Sequence, residues 1–165
     1  MRSLSKLKIY WLCIVIVSLS SVAGFAKLTI KNNVQVGNPA SSFCIKREGV
    51  FQLYSSAKGD VGICWFEQGG IEEWTLYQYL RGSQQKVKAI ELLLNNSSEK
   101  QIPDEESAKK YCKIQGGQLE ILSSKERPDH SIALCRLSDQ SAIESWTLYY
   151  GVSHFKVLKK LFIEE

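Results

Sequence analysis

Five cysteines and two histidines are the residues of this 165-residue chain whose types could do the most specific chemistry. Cys13 lies in an apolar amino-terminal run, and the cysteines beyond it are Cys44, Cys64, Cys112 and Cys135. A thiolate beside a histidine can act as a nucleophile, and clustered Cys, His, Asp or Glu can hold a metal ion. His130 and His154 show no metal-ligand spacing with the cysteines, and four cysteines in an exported chain are typical of two disulfides. We therefore expect disulfides, with three possible pairings, and no catalytic residue, metal site or cofactor.

The amino-terminal residues predict export. The chain begins with MRSLSKLK, which has three positive charges, and continues with IYWLCIVIVSLSSVAGFA, which has none. This layout is typical of a secretory signal peptide, and Gly24 and Ala26 provide the small residues before a cleavage site. We expect cleavage after Ala26, so that 1–26 is a signal peptide and no stable membrane span remains. An uncleaved anchor is the alternative, although a spanning helix needs about 20 apolar residues. The location is then periplasmic or secreted, where disulfides persist.

The charge balance of the chain after the signal argues against nucleic acid as a partner. Removing Arg2, Lys6 and Lys8 from the chain's 21 basic residues leaves 18, against 17 acidic residues. Proteins that bind nucleic acid through its phosphates carry a clear basic excess. The chain after residue 26 has no such excess.

The chain contains an internal repeat. FCIKREGVFQLYSS aligns with YCKIQGGQLEILSS at an offset of 68 residues, so that Cys44 falls on Cys112. IEEWTLYQYL aligns with IESWTLYYGV at an offset of 72 residues, and Cys64 falls on Cys135 between these segments. The chain is therefore a tandem duplication, whose predicted parts are a segment 27–37, repeat 1 (38–95), a linker 96–105, and repeat 2 with its tail (106–165).

Each repeat is predicted to contain a short helix that carries its first cysteine, an antiparallel β-hairpin and a helix that carries a tryptophan. Asn38 and Pro39 are a cap and a first helical residue, alternating apolar residues predict the hairpin, and Gly82 and Gly151 are typical helix stops. In repeat 2, Ser141 and Glu144 have the spacing of a capping box. The fold class is therefore α+β, with two disulfide-linked units. The tail 155–165 is left open between strand and helix. The predicted core residues are Trp74, Trp146, Phe51, Leu119, Leu53 and Ile121.

The segments NPASSFC, GDVGICWF and EEWTLYQYLRG resemble a bacterial and archaeal family catalogued as domain of unknown function 333 and often labelled a hemolysin. Members of this family have four cysteines, whereas both repeats of this chain lack the same two. Ile71 and Ile143 stand where the family has its third cysteine. Because cysteines that are lost together were bonded together, the resemblance implies Cys44–Cys64 and Cys112–Cys135 as the remaining bonds. Cross-repeat bonds, such as Cys44–Cys135, are the alternative.

The expected function is a non-enzymatic binding module whose partner is an unknown protein of the envelope or the extracellular space. The resemblance suggests a peptidase inhibitor or an envelope accessory protein, because similar domains occur beside inhibitor-type domains. The predicted contact surfaces are two loops, Ala57–Val61 and Lys125–Ser131. A secreted toxin or host-directed factor, as the hemolysin label suggests, is the alternative.

Overall fold

The computed structural model of the protein describes residues 38–82, 86–96 and 106–164. The predicted signal peptide 1–26, the segment 27–37 and most of the linker 96–105 lie outside these residues. Within the described ranges, no helix is both long enough and apolar enough to cross a membrane.

The helices of each repeat lie before and after its strands. Those of repeat 1 are α1 (Pro39–Lys46), α2 (Glu73–Arg81) and α3 (Lys88–Asn95). Those of repeat 2 are α4 (Ser107–Ile114), α5 (Ser145–Tyr150) and α6 (Lys156–Lys159), with a 3-10 turn Val152–His154 before α6 and a π-helical turn Lys160–Glu164 after it. Asn38 caps α1 as predicted, since its side chain accepts hydrogen bonds from the N–H groups of Ala40 and Ser41. The tail, left open by the sequence, is helical.

Six strands form one closed antiparallel barrel. They are β1 (Val50–Ser56), β2 (Gly59–Phe66), β3 (Gly69–Glu72), β4 (Gln118–Ser124), β5 (Ser131–Arg136) and β6 (Ala142–Glu144). Their order around the barrel is β1-β2-β3-β6-β5-β4. The predicted fold class, α+β with a separate hairpin unit in each repeat, is therefore wrong. A hairpin is marginal alone and its edges are unpaired, whereas closing the two half-sheets on each other pairs every edge.

The two repeats meet at equivalent residues, so the barrel has an internal pseudo-twofold axis. Ser55 of β1 pairs with Ser123 of β4, its counterpart at the 68-residue offset. Ile71 of β3 pairs with Ile143 of β6, its counterpart at the 72-residue offset. Self-pairing of equivalent positions is the mark of a twofold interface. The protein is thus built like a symmetric dimer whose two subunits are fused in one chain.

The repeated segment that begins Ile-Glu forms buried hydrogen bonds between the repeats, and these bonds are called the inter-repeat lock below. Glu72 caps α2, because its carboxylate accepts hydrogen bonds from the N–H of Trp74 (3.1 Å) and of Thr75 (2.7 Å). The Thr75 hydroxyl also donates to Glu72, at 2.7 Å, and accepts from the backbone N–H of Ala142 in the other repeat at 2.8 Å. One threonine therefore connects a helix cap in repeat 1 to a strand of repeat 2.

Repeat 2 makes the equivalent hydrogen bonds to repeat 1. Glu144 accepts from the Thr147 N–H at 2.8 Å and from the Thr147 hydroxyl at 2.9 Å, and that hydroxyl accepts from the Gly70 N–H at 2.8 Å. Glu144 therefore caps α5 itself and does not complete a capping box with Ser141, which was the prediction. The error arises because residues 142–144 form β6, so the helix begins only at Ser145.

Two disulfides join the first helix of each repeat to the middle strand of its half-sheet. Their pairs, Cys44–Cys64 and Cys112–Cys135, are those that the family resemblance implied. Gly49 and Gly117 occupy equivalent positions beside them. A Cβ on Gly49 would lie 2.5 Å from the Cys64 sulfur, and one on Gly117 would lie 2.4 Å from the Cys135 sulfur. Glycine is needed there because a larger residue would displace the bond. Closing loops of this length contributes on the order of 3 kcal/mol each.

The barrel has apolar residues on both faces, and the predicted core residues on its strands belong to the outer face, which packs against the helices. The interior is filled by Tyr54, Ile63, Leu122, Leu134 and Ala142. Alternate strand residues, including Phe51 and Leu119, point outward and are half-buried against the helices.

The other predicted core residues are also not fully buried. Leu53 and Trp146 are half-buried, Trp74 is 42% exposed and Ile121 is 59% exposed. Alternate residues of a strand point to opposite faces of the sheet. The sequence prediction selected the residues of the outer face because it did not anticipate that the sheet closes around an interior.

Replacing Thr147 by valine tests the inter-repeat lock. The variant leaves the buried N–H of Gly70 without its acceptor, so we expect the free energy of unfolding to fall by about 1–3 kcal/mol. Thr147→Ser keeps the hydroxyl and should cost about 1 kcal/mol or less. Urea denaturation measures both values, and equal losses in the two variants would contradict the lock.

A cut in the linker tests whether the barrel needs a continuous chain. A protease site placed within residues 97–105 and cleaved in the folded protein should leave two fragments that elute together in size-exclusion chromatography. On a non-reducing denaturing gel the fragments should separate, because each disulfide lies within one repeat. Separation under native conditions would refute the shared barrel, and fragments that stay linked on the gel would refute the disulfide pairing.

Candidate functional site

A cleft of about 580 Å³ lies beside β5 and α5 of repeat 2. Trp65 and Gln68 of repeat 1 close one side, while the other walls come from α4, β4, β5, β6, α5 and the segment between α5 and α6. Its apolar and aromatic lining consists of Trp65, Ile121, Ile132, Trp146, Tyr150 and Phe155, with smaller contributions from Ala108 and Ala133. A concave, largely apolar surface with a few polar groups is the usual form of a binding site.

The cleft exists in repeat 2 because two side chains there differ from their counterparts in repeat 1. Ala133 and Ser145 line it, and the equivalent residues of repeat 1 are Gly62 and Glu73. The Glu73 carboxyl packs directly against Gly62, where an added Cβ would lie 2.6 Å from the carboxyl carbon. Repeat 1 therefore has a long side chain where repeat 2 has a short one, and repeat 2 is left with open space.

Glu73 is a buried carboxyl group, only 5% exposed. One oxygen accepts a hydrogen bond from the Asn38 side-chain amide at 2.9 Å, and the other has no hydrogen-bond partner among the described residues. Burial raises the pKa of Glu73, the hydrogen bond from Asn38 opposes that rise, and the neighbouring Glu72 adds to it. The folded protein therefore holds a proton on Glu73 more tightly than the unfolded chain does.

Three stacked rings form one wall of the cleft. Trp146 stacks on Tyr150, with ring centroids 5.6 Å apart and an interplanar angle of 24°. Tyr150 stacks in turn on His154, at 4.4 Å and 14°. Phe155 contacts His154 edge to face at 5.0 Å. This column, Trp146–Tyr150–His154, fixes the orientation of the histidine relative to α5.

The accessible titratable groups in the cleft can only be neutral or positive, apart from the Tyr150 hydroxyl. They are Lys109, His130 and His154. Glu144 also lines the cleft, but it is 4% exposed and its two oxygens accept hydrogen bonds within α5. Burial, the largest influence, raises the pKa of Glu144, while those hydrogen bonds lower it.

The corresponding place in repeat 1 is smaller and already paired. A concavity of about 250 Å³ is lined by Val61 and Arg136, which align with Ile132 and Trp65 of the cleft. Glu120 lies between Arg136 (3.0 Å) and Lys58 (2.8 Å), and the guanidinium holds the pKa of Glu120 below its usual range. The pseudosymmetry thus produces one aromatic cleft and one site closed by ion pairs.

The structure brings some of the predicted site residues together. Lys125 of the second predicted loop forms an ion pair with Asp60 of the first, so the loops Ala57–Val61 and Lys125–Ser131 are in contact. His130 and His154, far apart in sequence, both line the cleft. Trp146 lines it too, although Trp74, its counterpart, lies elsewhere.

The four described cysteines are buried in disulfides. Ser145 donates its hydroxyl to the carbonyl of Ala133 at 2.7 Å, and no described hydroxyl is hydrogen-bonded to a histidine side chain. Among the same residues, no group of three or more His, Cys, Asp or Glu side chains could hold a metal ion.

Sequence reasoning missed Trp65, Tyr150 and Ser145 as cleft residues. The signal that could have found them is the exchange between the repeats, where Ser145 replaces Glu73 and Ala133 replaces Gly62. Two neighbouring positions that change together between copies indicate a local difference in packing.

Comparison with known proteins gives one family. A family model described as Domain of unknown function (DUF333) matches residues 35–79 and again residues 105–151. The two matched segments correspond to the two halves of the barrel. No curated protein and no solved structure matches the chain.

The raised pKa of Glu73 gives a stability test that depends on pH. A carboxyl group with a raised pKa in the folded state lowers stability as pH rises from its ordinary value, about 4.3, through its folded value. Glu73→Gln removes this loss, so the stability of the variant relative to the parent protein should rise as pH increases above about 4.3 and level off once Glu73 is ionised in the folded parent.

Glu120→Gln is the matched control, because the pKa of Glu120 is lowered and the sign reverses. The stability of that variant relative to the parent should fall as pH rises toward about 4.3 and stay level above it, as urea denaturation at several pH values measures. A Glu73→Gln difference that does not change with pH, or falls as pH rises, would contradict the assignment.

Proposed function

The chain belongs to the family described as Domain of unknown function (DUF333), and from this premise we propose that it is an exported binding module without enzymatic activity. Its partner is a protein of the envelope or the extracellular space, and its contact surface is the cleft of repeat 2. Inhibition of a peptidase or an accessory role in the envelope are the forms of this function that the family resemblance favours.

Two disulfides support the exported location. Such bonds persist in oxidising compartments and are rare in the reducing cytosol. Each fastens α1 or α4 to the barrel, so both helices are held against the sheet before any partner binds.

The observation that carries the proposal is the open cleft at a place that repeat 1 closes with its own side chains. A barrel of two similar halves buries apolar residues efficiently, yet Ile121 at the edge of the cleft is 59% exposed. Exposed apolar residues around a concavity are typical of interaction sites. Since the barrel and the disulfides fix the walls, binding would require little ordering of the protein.

The absence of catalysis is supported by the state of the candidate groups. A nucleophile needs a nearby base to activate it. In the cleft, the Ser145 hydroxyl donates to a backbone carbonyl, and the imidazoles of His130 and His154 lie without a hydrogen-bonded hydroxyl among the described residues. No observation favours the toxin alternative.

Transplanting the side chains of repeat 1 into repeat 2 tests the proposal. Ala133→Gly with Ser145→Gln places a long side chain in the cleft, as Glu73 does in repeat 1. Glutamine is used in place of glutamate because Glu106 of repeat 2 occupies the position equivalent to Asn38. A glutamate at position 145 would be repelled by Glu106. Retention of the partner by the immobilised mature chain should fall at least about tenfold, as quantitative affinity capture measures.

The matched control shortens the equivalent side chain of repeat 1, Glu73→Ser, and should leave capture unchanged. Gly62 is kept in this control because a Cβ there would lie 2.5 Å from the Phe51 ring. Circular dichroism and disulfide mapping verify that both variants fold. Capture that survives the cleft variant, or is lost equally in the control, would overturn the cleft as the contact surface. Leakage of liposomes caused by the parent protein, in place of partner capture, would favour the toxin.

A further inference from the structure

We infer that the group bound in the cleft is the carboxylate of an acidic side chain in a partner protein, flanked by apolar residues. This inference rests on the proposed function and specifies the chemistry that the same cleft recognises. Its basis is a pair of imidazoles in the cleft, His130 and His154, that have no carboxylate partner among the described residues.

Charge is the first argument. Of the groups that line the cleft, Lys109 is cationic and His130 and His154 can become so, while the carboxylate of Glu144 is buried and occupied by α5. Neither imidazole has a hydrogen-bond or ion-pair partner among the described residues. Lys109 forms an ion pair with Glu106 at 2.7 Å, so the histidines are the basic groups of the cleft that lack a partner among the described residues. A carboxylate from a partner would pair with these imidazoles by accepting hydrogen bonds from their N–H groups.

The second argument comes from the paired place in repeat 1. There the chain supplies its own carboxylates, since Glu120 lies between Arg136 and Lys58, and Asp60 pairs with Lys125. In the cleft, Trp65 stands where the arginine would be, and His130 and His154 are basic side chains at other positions of the lining. The barrel thus provides its own carboxylates at the repeat 1 site, whereas at the cleft a partner would provide the carboxylate.

Apolar contact is the third argument, and it indicates a peptide in place of a small inorganic anion. The cleft is far larger than one carboxylate, and Ile121, Ile132 and Trp146 line it. An acidic residue between aliphatic neighbours satisfies both kinds of surface.

Imidazoles ordinarily change charge between about pH 5 and about pH 8, so binding should be tighter at the lower pH. The other titratable groups in the cleft are Lys109 on α4, Glu144 on β6 and Tyr150 on α5, and Arg127 and Asp129 precede His130 in its turn. Burial raises the pKa of Glu144, and protonation of that carboxyl would change the charge of the cleft in the same direction. The variant that replaces both histidines separates the two contributions.

Two synthetic peptides test the inference with the full mature chain. One is acetyl-Leu-Leu-Glu-Leu-Leu-amide and the other has glutamine in place of glutamate, and tryptophan fluorescence measures binding at about pH 6 and about pH 8. The glutamate peptide should bind at least about fivefold more tightly than the glutamine peptide at the lower pH, and the difference should shrink at the higher pH. His130→Gln with His154→Gln should abolish the difference, and both sites are exposed, so this variant should fold.

The control variant, Lys46→Gln with Lys160→Gln, removes two positive charges at another surface and should preserve the difference. Equal binding of the two peptides, or binding of neither, would overturn the carboxylate inference. If partner capture is still lost in the variant with Ala133→Gly and Ser145→Gln, the proposed function survives that result. If that variant also captures the partner normally, both fail. Preference for the acid that survives the histidine variant would place the carboxylate elsewhere.

Discussion

Two buried carboxylate–threonine pairs, Glu72 with Thr75 and Glu144 with Thr147, are the interaction on which the rest of the structure depends. A buried carboxylate is costly unless hydrogen bonds satisfy it, and each of these accepts bonds from the first turn of the helix that follows it. Because the threonine hydroxyl donates to the carboxylate, its remaining lone pairs are directed to the N–H of the other repeat. The start of a helix, the orientation of a side chain and the pairing of two half-sheets are thereby fixed together.

Symmetry is what allowed the two repeats to diverge. The reciprocal lock and the self-paired positions Ser55–Ser123 and Ile71–Ile143 require only that the central residues stay compatible. Positions away from the axis are free to change in one copy without disturbing the other. Repeat 1 buries Glu73 against Gly62, whereas repeat 2 has an open cleft beside Ser145. A fused dimer can in this way keep its central contacts while one half has an open cleft that the other half lacks.

Several parts of the fold could be predicted because they depend on neighbouring residues. Asn38 and Pro39 specify the start of α1 through local hydrogen bonding and a fixed backbone angle, and the helix stop at Gly82 is of the same kind. The hairpins follow from alternation. Trp74 was misplaced because a repeated tryptophan indicates a repeated environment but not a buried one. The cleft could not be derived, since Trp65 and Trp146 lie 81 positions apart and line the same cleft only because the two half-sheets close into one barrel.

The sequence by itself determined the duplication, the local elements and, through the family resemblance, which cysteines pair. The duplication rests on residues that recur at a fixed offset, and the local elements rest on caps and short-range periodicity. The cysteine pairing rests on the two family cysteines that both repeats lack. Only the tertiary structure decided that the half-sheets close into one barrel, that Tyr54 and Leu122 lie inside it while Phe51 and Leu119 lie outside, and that repeat 2 keeps an open cleft. The physical reason is that strand edges can pair with any compatible edge, and a three- or four-residue strand such as β6 or β3 carries too little pattern to specify its partner. That choice is made by packing between residues about seventy positions apart, which no local pattern encodes.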